Sequence, residues 1–311
     1  MSDPSKSPPD LDAFNPPVGV DEVLSPGLRR ILAPNASPMT YRGTNTYVIG
    51  TRGLAVIDPG PDDGRHLQAI LDSVQRGQRI THIFVTHAHV DHSPLARNLA
   101  NATGAPVLAF GDAAAGKSAV MEQLARDGLA GGGEGIDAAF TPDICLNDGE
   151  TINGDGWALE AIHTPGHMGN HLAFAWGDIC FTGDHIMGWA SSLVSPPDGD
   201  LTDFMASCAR LKMRDWRVFH TGHGAPVHDP EARLAWLVAH RNARESEILA
   251  ALGDGPARAY DLATRIYTKT PVALMGAATR NVFAHLVDLT GKNRVFPQGH
   301  LHAEAIFERR K

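Results

Sequence analysis

The stretch VTHAHVDHSPLARN, Val85–Asn98, sets His87, His89, Asp91 and His92 within six positions. In extended chain, alternate side chains point to the same side. His87, His89 and Asp91 therefore project together just past the apolar run THIFVT (Thr81–Thr86). His92, adjacent to Asp91, needs a change of backbone direction, so one short loop can offer ligands to two neighbouring points. Imidazole nitrogen and carboxylate oxygen suit zinc, and also iron or manganese. Four ligands from one loop do not complete two metal sites, so partners must arrive from elsewhere. Three candidates each follow a predicted strand: His167 in HTPGHMGNH, Asp184 in FTGDH and His223 in FHTGHG. Loops at strand ends are where sites gather on a rigid scaffold.

Working outward, NTYVIG (Asn45–Gly50) and LAVIDPG (Leu54–Gly60) flank the turn-prone TRG and read as a hairpin. A helical pattern follows over Arg65–Val74. Ser93 and Pro94 suit the N-cap and first position of the helix after the histidine loop. APVLAF, WALEAIHT, HLAFAW, ICFTGD and WRVFHTGH read as strands, and LTDFMASCARLKM (Leu201–Met213) as a helix. Strands with helices between some of them suit two sheets covered by outer helices, an αββα sandwich.

The character changes near Asp229. Three helical patterns and a short strand pair, about RVFPQ and LHAEAIF, follow in winged-helix order. The expected organisation is a flexible Pro- and Ser-rich extension at 1–20, a catalytic domain at 21–228 and a winged-helix-like domain at 229–311. Residues 229–311 hold 12 Lys and Arg against 9 Asp and Glu, leaving 15 against 26 in residues 1–228. That asymmetry supports the boundary but is too mild to establish nucleic-acid binding. The net charge of −8 argues against a generic polyanion binder. Three scattered cysteines, Cys145, Cys180 and Cys208, form no disulfide framework and are expected to be buried and inert. The N-terminus does not read as a signal peptide and no apolar run is long enough to span a membrane, so the expected setting is cytoplasmic, with no membrane partner.

The motifs HxHxDH, HTPGH, FTGD and TGHG, in this order between about Pro26 and Pro226, resemble the metallo-β-lactamase fold superfamily. The resemblance implies an α/β fold, the αββα metallo-β-lactamase sandwich, with a dinuclear site between the sheets. Carried over by position, His87, His89 and His167 would hold one metal, Asp91, His92 and His223 the second, and Asp184 would bridge them. True β-lactamases of the fold typically lack that bridging aspartate, whereas glyoxalase II and RNase Z-like enzymes have it. Persulfide dioxygenases of the fold bind one iron through fewer ligands. NASPMTYRGTNTYVIG (Asn35–Gly50), with the C-terminal pattern, looks like the β-lactamase-like protein 2 group.

What the resemblance implies is a dinuclear zinc hydrolase, with iron or manganese as alternatives, whose bridging hydroxide is the nucleophile. Asp91 would orient that nucleophile or accept its proton. Asp58, in VIDPG, would orient a ligand histidine. The substrate stays open among an ester, thioester, lactone, amide or single-stranded RNA phosphodiester. Competing readings are a glyoxalase II-like hydroxyacylglutathione thioesterase and a winged-helix nucleic-acid-binding regulator with a vestigial metal site. Weak β-lactam hydrolysis is a compatible side activity. The helix pattern Val272–Leu289 holds one Arg and no Lys, so packing on the core, shaping the mouth or dimer contact is favoured there over groove reading.

The remaining histidines are weighed individually. His171 and His185 could approach the substrate or give a proton to a leaving group. Asn45 and Thr46 could line the mouth. His82 reads as structural, His163 as supporting the Pro165–Gly166 turn and His220 as packing beneath the site. His228, His240, His285, His300 and His302 are expected on surfaces or helix faces.

Overall fold

The structure, a computed structural model, describes residues 13–131 and 135–310. Seven strands form the first sheet: β1 (Glu22–Ser25), β2 (Leu28–Leu32), β3 (Asn45–Ile49), β4 (Gly53–Ile57), β5 (Arg79–Phe84), β6 (Val107–Ala109) and β7 (Ile144–Cys145), paired in that order. β1 to β4 pair antiparallel; β4 to β7 pair parallel. Helices α1 (Gly64–Asp72) and α2 (Leu95–Thr103) supply the parallel crossovers, and α3 (Ala119–Arg126) precedes β7.

The second sheet contains β8 (Thr151–Asn153), β9 (Ala158–His163), β10 (Leu172–Trp176), β11 (Ile179–Gly183) and β12 (Val218–Thr221), in the order β12-β11-β10-β9-β8. Helix α4 (Leu201–Leu211) connects β11 to β12. β9 and β11 are each antiparallel to β10, so they run the same way, and β12 is parallel to β11. The C-terminal ends of β9, β11 and β12 therefore share one edge of that sheet.

Three apolar layers explain the stacking. Between the sheets lie Ile49, Ile57, Phe84 and Leu108 from one and Leu159, Phe174, Phe181 and Val218 from the other. On the far side of the first sheet, Val48, Val56 and Ile83 meet Ile70 of α1 and Leu99 of α2. On the far side of the second, Ala173, Cys180 and Phe219 meet Phe204 and Leu211 of α4. Consecutive β4 residues illustrate the pleat: Val56 packs outward and Ile57 inward. This is the αββα arrangement expected from the strand and helix order.

The chain continues through α5 (Pro230–Ala251), α6 (Ala259–Ile266), α7 (Met275–Gly291) and the antiparallel ribbon β13 (Val295–Pro297) and β14 (Phe307–Arg309). These pack around Ile248, Leu262, Val282, Leu286 and Phe307, with Met121 and Leu124 of α3 joining the cluster. Leu234 and Leu237 of α5 instead join the α4 layer, so α5 packs on the outer face of the second sheet. No helix among the described residues is long and apolar enough to cross a membrane.

Several expectations need correction. Residues 1–12 of the expected extension lie outside the described residues, but the chain is already anchored before residue 20. Phe14 is buried, Arg30 sits over its ring at 4.7 Å, and Gly19 N–H donates to Leu32 O at 2.9 Å. Ser93 does not cap α2. Its hydroxyl turns back to His89 O (3.2 Å) and Asp137 Oδ2 (2.9 Å), and the helix begins at Leu95 behind Pro94. The strand read over LHAEAIF forms only from Phe307. Cys145 is exposed rather than buried, because β7 is an edge strand; Cys180 and Cys208 are buried. His285 is on a helix face, one of the two expected places, but that face is buried. From Val282 to Leu289 every side of α7 is covered, and neither His285 nitrogen has a hydrogen-bond partner among the described residues.

Candidate metal centre

The residues read from the sequence converge at the shared strand ends. β5 delivers His87, His89, Asp91 and His92; β9 leads to His167; β11 ends at Gly183, directly before Asp184; β12 leads to His223. The sheets are stitched together at this edge: Leu172 N–H donates to Thr86 O (2.7 Å), and Asn45 N–H to Gly222 O (2.8 Å). The loop holding His167 turns at Gly166, where φ is +138° and a Cβ would lie 2.3 Å from Phe204 Cα. Only glycine allows α4 so close to the HTPGH turn.

Seven side chains fall into two adjoining groups, His87/His89/His167 and Asp91/His92/Asp184/His223, each with its donor atoms within 4.8 Å of one another. In the first, His89 Nδ1 faces His87 Nε2 at 2.9 Å and His167 Nε2 at 3.0 Å. In the second, His223 Nε2 lies 3.1 Å from Asp91 Oδ2, 3.3 Å from Asp184 Oδ2 and 3.3 Å from His92 Nε2. Asp184 Oδ2 is also 3.7 Å from His167 Nε2, so this carboxylate touches both groups. His87, His92 and His223 are fully buried, whereas His89, Asp91, His167 and Asp184 keep 4–8% exposure and mark the opening.

Four of the five histidines of these groups are oriented from behind, and the acceptors fix their tautomers. His92 Nδ1–H donates to Asp58 Oδ2 (2.9 Å), His167 Nδ1–H to Leu193 O (2.8 Å) and His223 Nδ1–H to Gly43 O (3.1 Å). His87 Nδ1–H donates to Thr86 Oγ1 (2.9 Å), which donates in turn to Asp58 Oδ2 (2.8 Å). Asp58 thus steers one ligand of each group, a wider role than the single histidine expected. It is held by Thr86 N–H on Oδ1 (2.7 Å) and has φ +50°, a conformation aspartate tolerates better than most residues. Asp58→Asn is expected to weaken divalent-ion affinity 10- to 100-fold, the usual range for a partner behind a metal ligand; competition against a chromophoric chelator measures it.

The donor set fits a cation. Ring nitrogens face one another at 2.9–3.3 Å, about the separation that tetrahedral zinc–nitrogen bonds of ~2.0–2.1 Å impose on their donors. Among the described residues, Asp91 Oδ1 and Asp184 Oδ1 are buried without a hydrogen-bond partner, although Asp184 Oδ1 lies 3.4 Å from His92 Nε2. Burial, reinforced by the neighbouring His167, pulls His89 down to about 3, and burial with His92 and His89 pulls His87 well below its ordinary value. Both are neutral at neutral pH, with lone pairs available. In the second group burial favours the neutral forms but is outweighed: Asp184 and Asp91 hold His223 up at about 10, while His92 and His223 hold Asp91 down near 2.

The other expected site residues lie elsewhere. His171 is fully buried; its Nδ1–H donates to Thr164 Oγ1 (2.9 Å) and its Nε2 accepts Asp184 N–H (3.3 Å), so it positions Asp184 and does not face the substrate. His185 is also fully buried, packs on Phe204 and faces Cys208 Sγ at 3.6 Å, too enclosed to protonate a leaving group. Asn45 is fully buried and does not line the mouth. Its Nδ2 donates to Thr221 O (3.0 Å) and Gly224 O (2.9 Å), gripping the loop that carries His223. Thr46 hydrogen-bonds Asp58 O (2.7 Å) and His66 Nε2 (2.8 Å). His163 stacks on Phe110 at 3.8 Å and bonds Gly169 O, supporting its turn. The sequence reading missed Thr86, whose place beside His87 was the available signal, and the Leu193 and Gly43 carbonyls, which carry no side-chain signal at all.

A sandwich of this topology with paired His/Asp groups at one edge defines a class, and sequence comparison agrees. Residues 39–249 match the Metallo-beta-lactamase superfamily. The chain belongs to that superfamily of metal-dependent hydrolases. It is 30% identical over 293 residues to a Beta-lactamase-like protein 2 homolog of Drosophila melanogaster, covering 88% of this chain and 91% of that one. It is also 30% identical over 244 residues to an atrochrysone carboxyl ACP thioesterase of Paecilomyces divaricatus, covering 76% and 68%. Among solved structures, a metallo-beta-lactamase family protein from Thermus thermophilus superposes with TM-score 0.74 at 26% identity, over 93% of this chain and all of the other. A beta-lactamase domain protein from Burkholderia ambifaria shares the fold, with TM-score 0.78 at 20% identity over 97% and 99%.

Proposed function

We propose that this chain is a dinuclear hydrolase of acyl compounds, with thioesters the leading substrate class and zinc the leading ion. The observation that carries the reading is the pair of adjoining ligand groups sharing Asp184. The choice of thioesters draws on the relatives named as ACP thioesterases. We also infer a winged-helix-like module over residues 229–311, from the order of three helices and a ribbon.

His87, His89 and His167 would hold one divalent ion and Asp91, His92, Asp184 and His223 a second, which would supply Lewis acidity and lower the pKa of a water toward neutrality. The residues do the rest. Asp184 ties the two groups together through its carboxylate. Asp91 has one oxygen on His223 and the other, Oδ1, free of any hydrogen bond. Oδ1 is therefore the acceptor for the proton of the attacking water. When the C–S bond breaks, that proton is available to the departing thiolate, so water and thioester leave as carboxylic acid and thiol. His89 and His167, at the opening, set the face from which the carbonyl approaches.

The test is ion analysis of the purified chain, followed by a panel of an acyl-thioester, a lactone, a β-lactam and a single-stranded RNA. Two ions per chain with thioester turnover at least tenfold above the other substrates is expected. An ion-free chain that takes up none on addition of Zn²⁺ would defeat the hydrolase reading. Preferential RNA cleavage would defeat the substrate assignment alone.

A further inference from the structure

From Asp184 to Asp200 the chain runs without helix or strand, and this segment meets both the metal centre and the C-terminal module. Its Leu193 carbonyl receives His167 Nδ1–H at 2.8 Å, and so sets the orientation of that ring. The neighbouring loop carbonyls are not left bare. Arg233 of α5 donates through Nε to Met187 O (2.7 Å) and through Nη2 to Ala190 O (2.7 Å). Arg241 of α5 donates through Nη2 to Ser192 O and through Nη1 to Asn281 Oδ1. Arg280 of α7 donates through Nη1 to Ser195 Oγ (3.3 Å) and Pro196 O (3.4 Å), and also to Ala130 O (3.0 Å). Three guanidinium groups, all from beyond residue 228, thus hold the loop on both sides of Leu193.

Arg241 is the costly member. It is 1% exposed, lies over the Phe204 ring at 5.1 Å, and has no carboxylate partner among the described residues. A buried cation without a counter-ion is expensive. It is retained here against neutral acceptors, one of them the carbonyl directly before Leu193. A nucleic-acid-reading module would turn its arginines outward toward phosphate; these three point inward.

We infer that α5 and α7 form a brace for the metal centre, in which Arg233, Arg241 and Arg280 act as positioning residues that fix the Leu193 carbonyl and through it the His167 ligand. This rests on the metal-hydrolase reading above, and its test separates the two. Ion-free wild type, Arg280→Ala and Arg241→Met are titrated with Zn²⁺ alone against a chromophoric chelator. Hydrogen exchange is followed over residues 187–196. Arg280 is only partly buried, so its removal strands no buried charge, and methionine replaces the Arg241 cation with an apolar chain. Each variant is expected to weaken one of two Zn²⁺ equivalents about 10-fold, leave the other unchanged and speed exchange across the loop. A merely structural role would lower the melting temperature without singling out one equivalent. Two equivalents at wild-type affinity with wild-type exchange in both variants would overturn the brace; should Arg241→Met not fold, Arg280→Ala decides alone. Wild type that binds no Zn²⁺ overturns the metal reading, and the brace with it.

Discussion

Asp91→Ala is expected to lower kcat/KM by about 10³-fold while the chain stays folded, because it removes a ligand and a proton acceptor together. The environment makes the loss specific. Asp91 is held near a pKa of 2, so the wild-type side chain is a carboxylate at every working pH, and its Oδ1 has no competing hydrogen bond. Alanine removes that acceptor and strips His223 of the partner at 3.1 Å. The fold should tolerate it, since Asp91 sits on a loop at the rim and contributes to none of the apolar layers. Asp91→Asn retains the shape and loses the charge, separating ligation from proton transfer: retained ion stoichiometry with lost turnover identifies the proton acceptor. His167→Ala should reach a similar loss by another route, through the ion of the first group. Full activity in Asp91→Ala or His167→Ala, with two ions still bound, would refute the assignment. Circular dichroism and ion analysis on the same samples distinguish a lost site from a lost fold.

Physical reasons decide which features were legible beforehand. His87 and His89 could be read because alternation in extended chain is strictly local, and His167, Asp184 and His223 because each follows an apolar run; Asp91 does not continue that alternation, since the chain turns at His89–His92 and sends it to the second group with His92. The β3–β4 hairpin was equally legible from its flanking runs. β1 and β2 were not, because LRRIL carries two arginines that read as exposed. Arg29 and Arg30 are buried by pairing with Asp21 and Glu22 across the same hairpin, a compensation that periodicity does not register. β7 is two residues long, too short for a pattern, and β8 (TIN) carries a single apolar residue, unlike the equally short β6, whose VLA is apolar throughout. Asn45, His171 and His185 sit near the motifs, but their orientation is set by contacts with distant residues: Asn45 with Thr221, and His185 with Cys208. The arginine brace was illegible for the same reason, since its acceptors are backbone carbonyls of a loop that carries no pattern.

Gly222→Ala should cost about 10²-fold in turnover through a single added methyl, the scale expected when a catalytic group moves by about 1 Å. Gly222, in the TGHG motif, is not in the left-handed region, so an L-residue fits its backbone and the whole penalty is spatial. A Cβ there would lie 2.3 Å from Asp184 Oδ1 and 2.8 Å from His92 Cε1, inside van der Waals contact with two residues of the second group. The backbone cannot yield: Gly222 N–H is bonded to Gly183 O at 2.8 Å, and its carbonyl takes Asn45 N–H at 2.8 Å. His92 is pinned on its far side by Asp58. The carboxylate of Asp184 must therefore swing away, and it is the group shared by both clusters. The expected signature is loss of paired ion binding, with one Zn²⁺ equivalent retained by His87, His89 and His167, near-wild-type circular dichroism and about 1% of wild-type kcat/KM. A variant that binds two equivalents and turns over at the wild-type rate would mean that Asp184 does not sit where the ions need it, and the bridging role would fall.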